Sequence, residues 1–147
     1  MTAKELYDNL DDYFIKPGMS DDWFQYMPEL EPFLCDNFKE RNMGLACDFT
    51  ETIHKVYTAV FPSENVLRKV LNSCEEAMLF VHHASSWDLK NDWSAAAHEL
   101  PANNRINIFG GTHYSNEKFA CMAMCTYFKN MGIPAEFVED EPCFEDM

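Results

Sequence analysis

Two adjacent histidines, His82 and His83, stand at the end of the apolar run Ala77-Met78-Leu79-Phe80-Val81. A second apolar run, Ile106-Asn107-Ile108-Phe109, leads into Gly110-Gly111-Thr112-His113-Tyr114-Ser115-Asn116-Glu117. Imidazole and carboxylate groups are ligands for divalent transition metals, with metal–nitrogen bonds of about 2.0–2.1 Å. Three histidines and a glutamate at the ends of two buried strands therefore point to a metal site, provided the fold brings both ends to one place. Parallel strands do this, because open α/β sheets gather their sites along the carboxyl edge. Successive side chains on a strand face opposite ways. His82 and His83 therefore do not ordinarily share one ion; where the backbone turns at the strand end, the pair can serve two ions on either side of a bridging carboxylate. Glu117 lies four residues after His113. A helix that starts near residue 113 puts both on one face, and a start at Ser115 leaves Glu117 in the first turn, where a carboxylate is favoured. His54, ahead of a strand, reads as a surface residue, and His98 sits in a polar connection with no assignment.

Two strand–helix–strand units must position these residues. In the first, Ile53 to Phe61 is rich in β-branched and aromatic residues and reads as a strand. Ser63 is placed to cap a helix with an apolar stripe of Val66, Leu67, Val70 and Leu71, and Ala77 to Val81 reads as a strand buried on both faces. In the second, Arg105 to Phe109 reads as a strand, Ser115 to Asn130 as a helix capped by Ser115 and closed by Gly132 and Pro134, and Ala135 to Val138 as a further strand. Phe119, Ala123 and Tyr127 share one face of that helix, with Met122 and Met124 widening the apolar surface. Ahead of both units, residues 2–15 have helical spacing at Leu6, Leu10 and Phe14, and Pro17-Gly18 stops that helix. Residues 21–43 read as short helices and turns broken by Pro28 and Pro32. Residues 84–105 form a polar connection in which Trp87 and Trp93 read as packing anchors. The expected architecture is a single α/β domain over 1–147, a mostly parallel or mixed sheet flanked by helices. Its parts are a helical 1–45, a first βαβ unit at 53–83, the 84–105 connection and a strand–helix–strand at 106–140.

The chain has 147 residues, enough for one domain with a substantial core. Acidic residues number 25 against 11 basic ones, for a net charge of −14. This balance argues against nucleic acid and anionic membrane surfaces as partners, since phosphate neutralisation needs Lys and Arg. No phosphate-cradling glycine-rich loop is present. The six cysteines, Cys35, Cys47, Cys74, Cys121, Cys125 and Cys143, form no CxxC pair and read as buried, inert thiols. With no signal peptide and no apolar run of about 18 residues, a cytoplasmic protein is expected.

At its chemistry-bearing residues the chain resembles the NIF-three-like dinuclear-metal proteins, the GTP cyclohydrolase 1 type 2 homologues. Asn42-Met43-Gly44-Leu45 followed by Asp48 resembles the family's Asn-x-Gly-Leu segment, and residues 55–83 resemble its first βαβ unit ending in the His-His pair. Gly111 to Glu117 is similar to its Gly-His-Tyr-x-Thr-Glu motif, with Ser115-Asn116 in place of the small residue and Thr, and residues 133–140 resemble its closing strand. The resemblance implies a NIF-three-like fold, with His82, His83, His113 and Glu117 as ligands to one or two divalent ions drawn from Zn, Fe, Mn, Co or Ni. It also implies assembly into homo-oligomers. The chain departs from the family where a longer middle segment carries a further Asp ligand; only the 84–105 connection stands there, with Asp88, Asp92 and Glu99 as the available substitutes. Two functions follow. The first is a metal-dependent, cyclohydrolase-like hydrolase of a nucleotide or related small molecule, with Asp48 as the one acidic residue expected near the site's edge. The second is a non-catalytic metal-binding or assembly module.

Overall fold

Thr2 opens helix α1 (Ala3–Phe14) with a reciprocal capping box: its hydroxyl accepts from the Glu5 backbone N–H at 3.2 Å, and its own N–H donates to the Glu5 carboxylate at 3.0 Å. The computed structural model describes residues 1–20, 28–73, 75–83 and 106–139. The 84–105 connection, with Trp87, Asp88, Asp92, Trp93, His98 and Glu99, lies outside the described residues, as do Cys74 and Cys143. After α1 the chain passes Gly18, which has a left-handed φ of 86°; among the described residues a 3-10 helix over Pro28–Phe33 and helix α2 (Asp36–Arg41) come next. Strands β1 (Gly44–Cys47) and β2 (Lys55–Ala59), helix α3 (Glu64–Leu71), strands β3 (Ala77–Val81) and β4 (Ile106–Gly110) and helix α4 (His113–Asn130) follow.

The four strands form one mixed sheet in the order β1-β4-β3-β2, flanked by helices. β2, β3 and β4 are mutually parallel, and β1 runs antiparallel to β4. The two core layers follow the strand alternation. Ala77, Leu79 and Val81 of β3 and Ile106 and Ile108 of β4 pack with Leu67, Val70 and Leu71 of α3. Met78, Phe80 and Phe109 pack on the other face with Leu6, Leu10 and Phe14 of α1. Ser63 caps α3 as expected, its hydroxyl accepting from the Val66 N–H. The same alternation sends the fully buried Asn107 toward α1. Its carboxamide oxygen accepts from the backbone N–H groups of Phe49 and Thr50, the latter at 2.9 Å. Its amide donates to the Thr50 carbonyl at 2.8 Å, to Asp48 at 3.1 Å and to the Tyr7 hydroxyl.

The strand expected over Ala135 to Val138 does not form; residues 133–139 are irregular. β3 occupies one side of β4 and β1 the other, the latter through the pairs Gly44 with Gly110 and Leu45 with Phe109, so β4 offers no side to a further strand. The outer edge of β1 is itself covered in part, since Cys35 N–H donates to the Ala46 carbonyl at 2.9 Å. The strand expected over 53–61 is shorter, and the helix expected from Ser115 begins at His113.

Gly44 makes the entry to β1 possible. Its φ is 95°, and a Cβ there would lie 2.9 Å from Ile15 Cδ1 and 3.2 Å from the Arg41 guanidinium. Gly44→Ala is expected to destabilise the protein by about 1–3 kcal/mol, read as a lowered urea midpoint. A wild-type midpoint would show that this turn is not under conformational constraint.

Candidate metal centre

Parallel register brings both histidine clusters to one sheet edge. β3 stops at Val81, and two backbone hydrogen bonds outside the ladder still tie the next residues to the β2 end: His82 N–H donates to the Ala59 carbonyl at 3.3 Å and His83 N–H to the Val60 carbonyl at 3.0 Å. On the other side, Gly111 N–H donates to the His82 carbonyl at 3.2 Å. The chain bends at His82 and His83, which removes the opposite-face constraint of a regular strand. Gly111 at φ 77° then turns β4 directly into α4, so that His113 occupies the first helical position.

The three imidazoles converge. One nitrogen from each of His82, His83 and His113 lies within 4.8 Å of the other two, and among the described residues this is the one group of three or more such side chains able to hold a metal ion. His113 Nε2 and His83 Nδ1 lie 3.0 Å apart. The rings meet edge to face, with centroids 4.3 to 4.8 Å apart and interplanar angles of 66 to 88°, as rings radiating from a common point do. Ligands at about 2.0–2.1 Å in a tetrahedral shell are separated by about 3.3 Å, so shifts of roughly an ångström per ring close the set around one ion. His113 is 2 % exposed, whereas His82 and His83 are half-buried. This leaves an accessible side.

Glu117 stands one turn beyond His113 on α4, as the four-residue spacing requires. Its carboxylate lies 3.6 Å from His82 Nε2, and its side chain is half exposed. Its carboxylate is an oxygen donor beside His82, outside the group of three whose ligand atoms all lie within 4.8 Å of one another.

Other expectations are corrected. Asp48 does not approach the histidines: it follows β1, which runs antiparallel to β4, and so emerges at the opposite edge of the sheet, bonded to Tyr7 and Asn107. Ser115 does not cap α4. Its hydroxyl donates to the Phe14 carbonyl at 2.6 Å and ties α4 to the end of α1, while Thr112 takes the N-cap position. The cysteines divide into two kinds. Cys47 is a free thiol within the core and Cys35 a half-buried one packed against it, and burial, followed by the nearby Asp48, pushes the Cys35 thiol up to about 11. Cys121 is an exposed free thiol on α4. His54 is a surface residue, as read from the sequence.

Sequence reasoning passed over Phe61, whose ring stacks on His83 with centroids 4.4 Å apart and an interplanar angle of 4°. The available signal was Phe-Pro-Ser at the end of a strand. β2 stops at Ala59, and Phe61 lies in the bend that follows it, immediately before Pro62.

No protein-family model, curated protein or solved structure matches the chain. Among the described residues, no helix is long and apolar enough to cross a membrane.

Proposed function

We propose that this is a metal-binding protein of the NIF-three-like kind, in which His82, His83, His113 and Glu117 hold a divalent ion of the Zn, Fe, Mn, Co or Ni group at the carboxyl edge of the sheet. The observation that carries the proposal is the convergence of three imidazole nitrogens from two separate strand ends within 4.8 Å. That span suits one ion, since paired ions sit about 3.5–4 Å apart and divide a larger ligand set between them. The reaction class is hydrolysis of a nucleotide or related small molecule. A bound divalent ion lowers the pKa of its water and supplies hydroxide near neutral pH. His113, rooted in the core, fixes the centre's position, and the half-buried side at His82 and His83 leaves room for a substrate. A cytoplasmic setting fits the free thiols of Cys35, Cys47, Cys121 and Cys125. Turnover of nucleotides and phosphoesters by Mn-, Fe- or Zn-loaded protein, abolished by chelation and restored by the ion, is the expected result. Metal bound without turnover on any of them would favour the non-catalytic module instead, a reading supported by the distance of Asp48 from the centre.

The second part of the proposal is self-association through α4. Ala120, Met124, Tyr127 and Met131 follow at i, i+4, i+7 and i+11, a stripe on the same face as His113 and Glu117. Met124, Tyr127 and Met131 are 49 %, 56 % and 59 % exposed, and Phe119, Met122 and Phe128 add to the apolar surface. Met122 lies on the opposite side of the helix, so the contact surface is the stripe with Phe119 and Phe128 on its flanks. Light scattering is expected to give a multiple of the chain mass for the parent and the monomer mass for Met124→Glu/Tyr127→Glu. A monomeric parent contradicts self-association.

A further inference from the structure

We infer that Phe61 is a positioning residue of the metal centre: its ring, stacked face to face on the His83 imidazole, holds that imidazole in the plane from which Nδ1 reaches the ion. The inference rests on the metal-binding reading above and extends it to a residue that supplies no ligand atom.

The stack is built by the backbone. β2 and β3 pair in parallel with Ala59 opposite Val81, and the hydrogen bonds from His82 to Ala59 and from His83 to Val60 carry that alignment past the strand ends. Phe61 follows Val60, and its ring meets that of His83 across these bonds. Phe61 lies in the bend after β2, Pro62 behind it is buried, and Ser63 immediately caps α3. Phe61 and His83 thus both sit in bends just past their strands, and the two backbone hydrogen bonds tie those bends together. The rings lie 4.4 Å apart at 4°, and His83 directs Nδ1, the nitrogen nearer its own backbone, toward His113 Nε2 at 3.0 Å.

The chemistry of the residue suits this role. A half-buried histidine at a bend has several side-chain rotamers open to it, and fixing them on metal binding costs conformational entropy. A stacked aromatic ring removes that freedom in advance. Phenylalanine has no hydrogen-bonding group, so it fixes the plane of the imidazole without competing with the ion for either ring nitrogen. Partners outside the ligand set that orient a metal-bound histidine typically change affinity by about 10–100-fold. A stack, weaker than a hydrogen bond to a carboxylate, falls at or below the lower end of that range.

The test compares the full chain with Phe61→Leu, which keeps apolar bulk but not the flat face, and with Phe61→Tyr, which keeps both. Zn affinity is measured by chelator competition and the ligand field by visible absorption of the Co(II)-loaded protein. The expected result is a roughly three- to tenfold loss of Zn affinity in Phe61→Leu, with an altered Co(II) spectrum, and recovery of both in Phe61→Tyr. A purely structural role would lower the metal-free melting temperature without moving the Co(II) bands of the folded fraction. Should Phe61→Leu not fold, NMR of the parent gives the answer without a variant. Upfield ring-current shifts of the His83 ring protons and Phe61–His83 proton contacts, retained with Zn bound, support the inference, and their absence overturns it. A parent that binds neither Zn nor Co(II) overturns the metal-binding reading and the inference with it. A parent that binds, with Phe61→Leu unchanged in affinity and spectrum, overturns the inference alone.

Discussion

The His82→Ala/His83→Ala double variant is expected to lose at least a thousandfold in affinity for Zn while remaining folded. Structural zinc sites bind with about 10–16 kcal/mol spread over four ligands, or roughly 3 kcal/mol for each. Removing two of the three imidazoles therefore costs on the order of 5 kcal/mol or more, and each 1.4 kcal/mol is a factor of ten in affinity. The pair is the right target because its structural duties are carried by the backbone. The bonds to the Ala59 and Val60 carbonyls come from N–H groups that alanine retains, and both rings are half-buried at the sheet edge. His113 is the worse probe. At 2 % exposure its removal leaves a cavity beside Thr112 at the head of α4, so lost metal and lost folding become entangled. Competition against a chromophoric chelator, with circular dichroism on the same samples, separates the two effects. Unchanged affinity in the folded variant would exclude these histidines as ligands.

Asn107→Leu is expected to destabilise the fold by about 3–5 kcal/mol. The side chain would still fit an apolar layer, but three backbone groups of the 49–50 segment would lose their partner: the Phe49 and Thr50 N–H groups and the Thr50 carbonyl. A buried polar group left unsatisfied costs about 1–3 kcal/mol. The Tyr7 hydroxyl and the Asp48 carboxylate would lose a donor as well. Burial and then the charge of Asp48 already push the Tyr7 hydroxyl above its ordinary pKa, so it stays a neutral donor to Asp48, at 3.2 Å. Urea unfolding reads the cost as a fall in midpoint at constant slope. A change below about 1 kcal/mol would mean that water replaces the carboxamide. Since Asp48 and Asn107 stand at the sheet edge opposite the histidines, metal affinity in the folded fraction is expected to be unchanged.

The parts of the fold that were legible in the sequence are those where one short segment decides its own fate. Ala77 to Val81 is a continuous apolar run bounded by polar residues, and it is a strand with those same limits. Ser63 announced α3, and Gly132, at φ 81°, marks the end of α4. From two parallel strand ends, the meeting of His82, His83 and His113 followed. What was not legible depends on partners distant in the chain. Gly44 to Cys47 is four residues long, too short for a period, and becomes a strand only because β4 offers it a free side. Once it does, Ala135 to Val138 has no place there. Asn107 in an apolar run signalled an unmet need for hydrogen bonds but not that residues 48–50 would meet it. The stripe on α4 has helical spacing in the sequence, and that spacing alone does not distinguish a face covered by its own sheet from one left exposed. Asp48 was misplaced for want of the strand direction that precedes it.

The most direct test of the metal centre is its stoichiometry. Native mass spectrometry of the full chain, stripped with chelator and reloaded with Zn, is expected to show one ion per chain, and none for the His82→Ala/His83→Ala variant. Thermal stability should rise with added Zn in the parent alone, because a ligand bound to the folded state at about 100 times its Kd adds about 2.7 kcal/mol. A parent that takes up no ion, or that binds as many ions as the double variant, would contradict a metal centre at His82, His83 and His113.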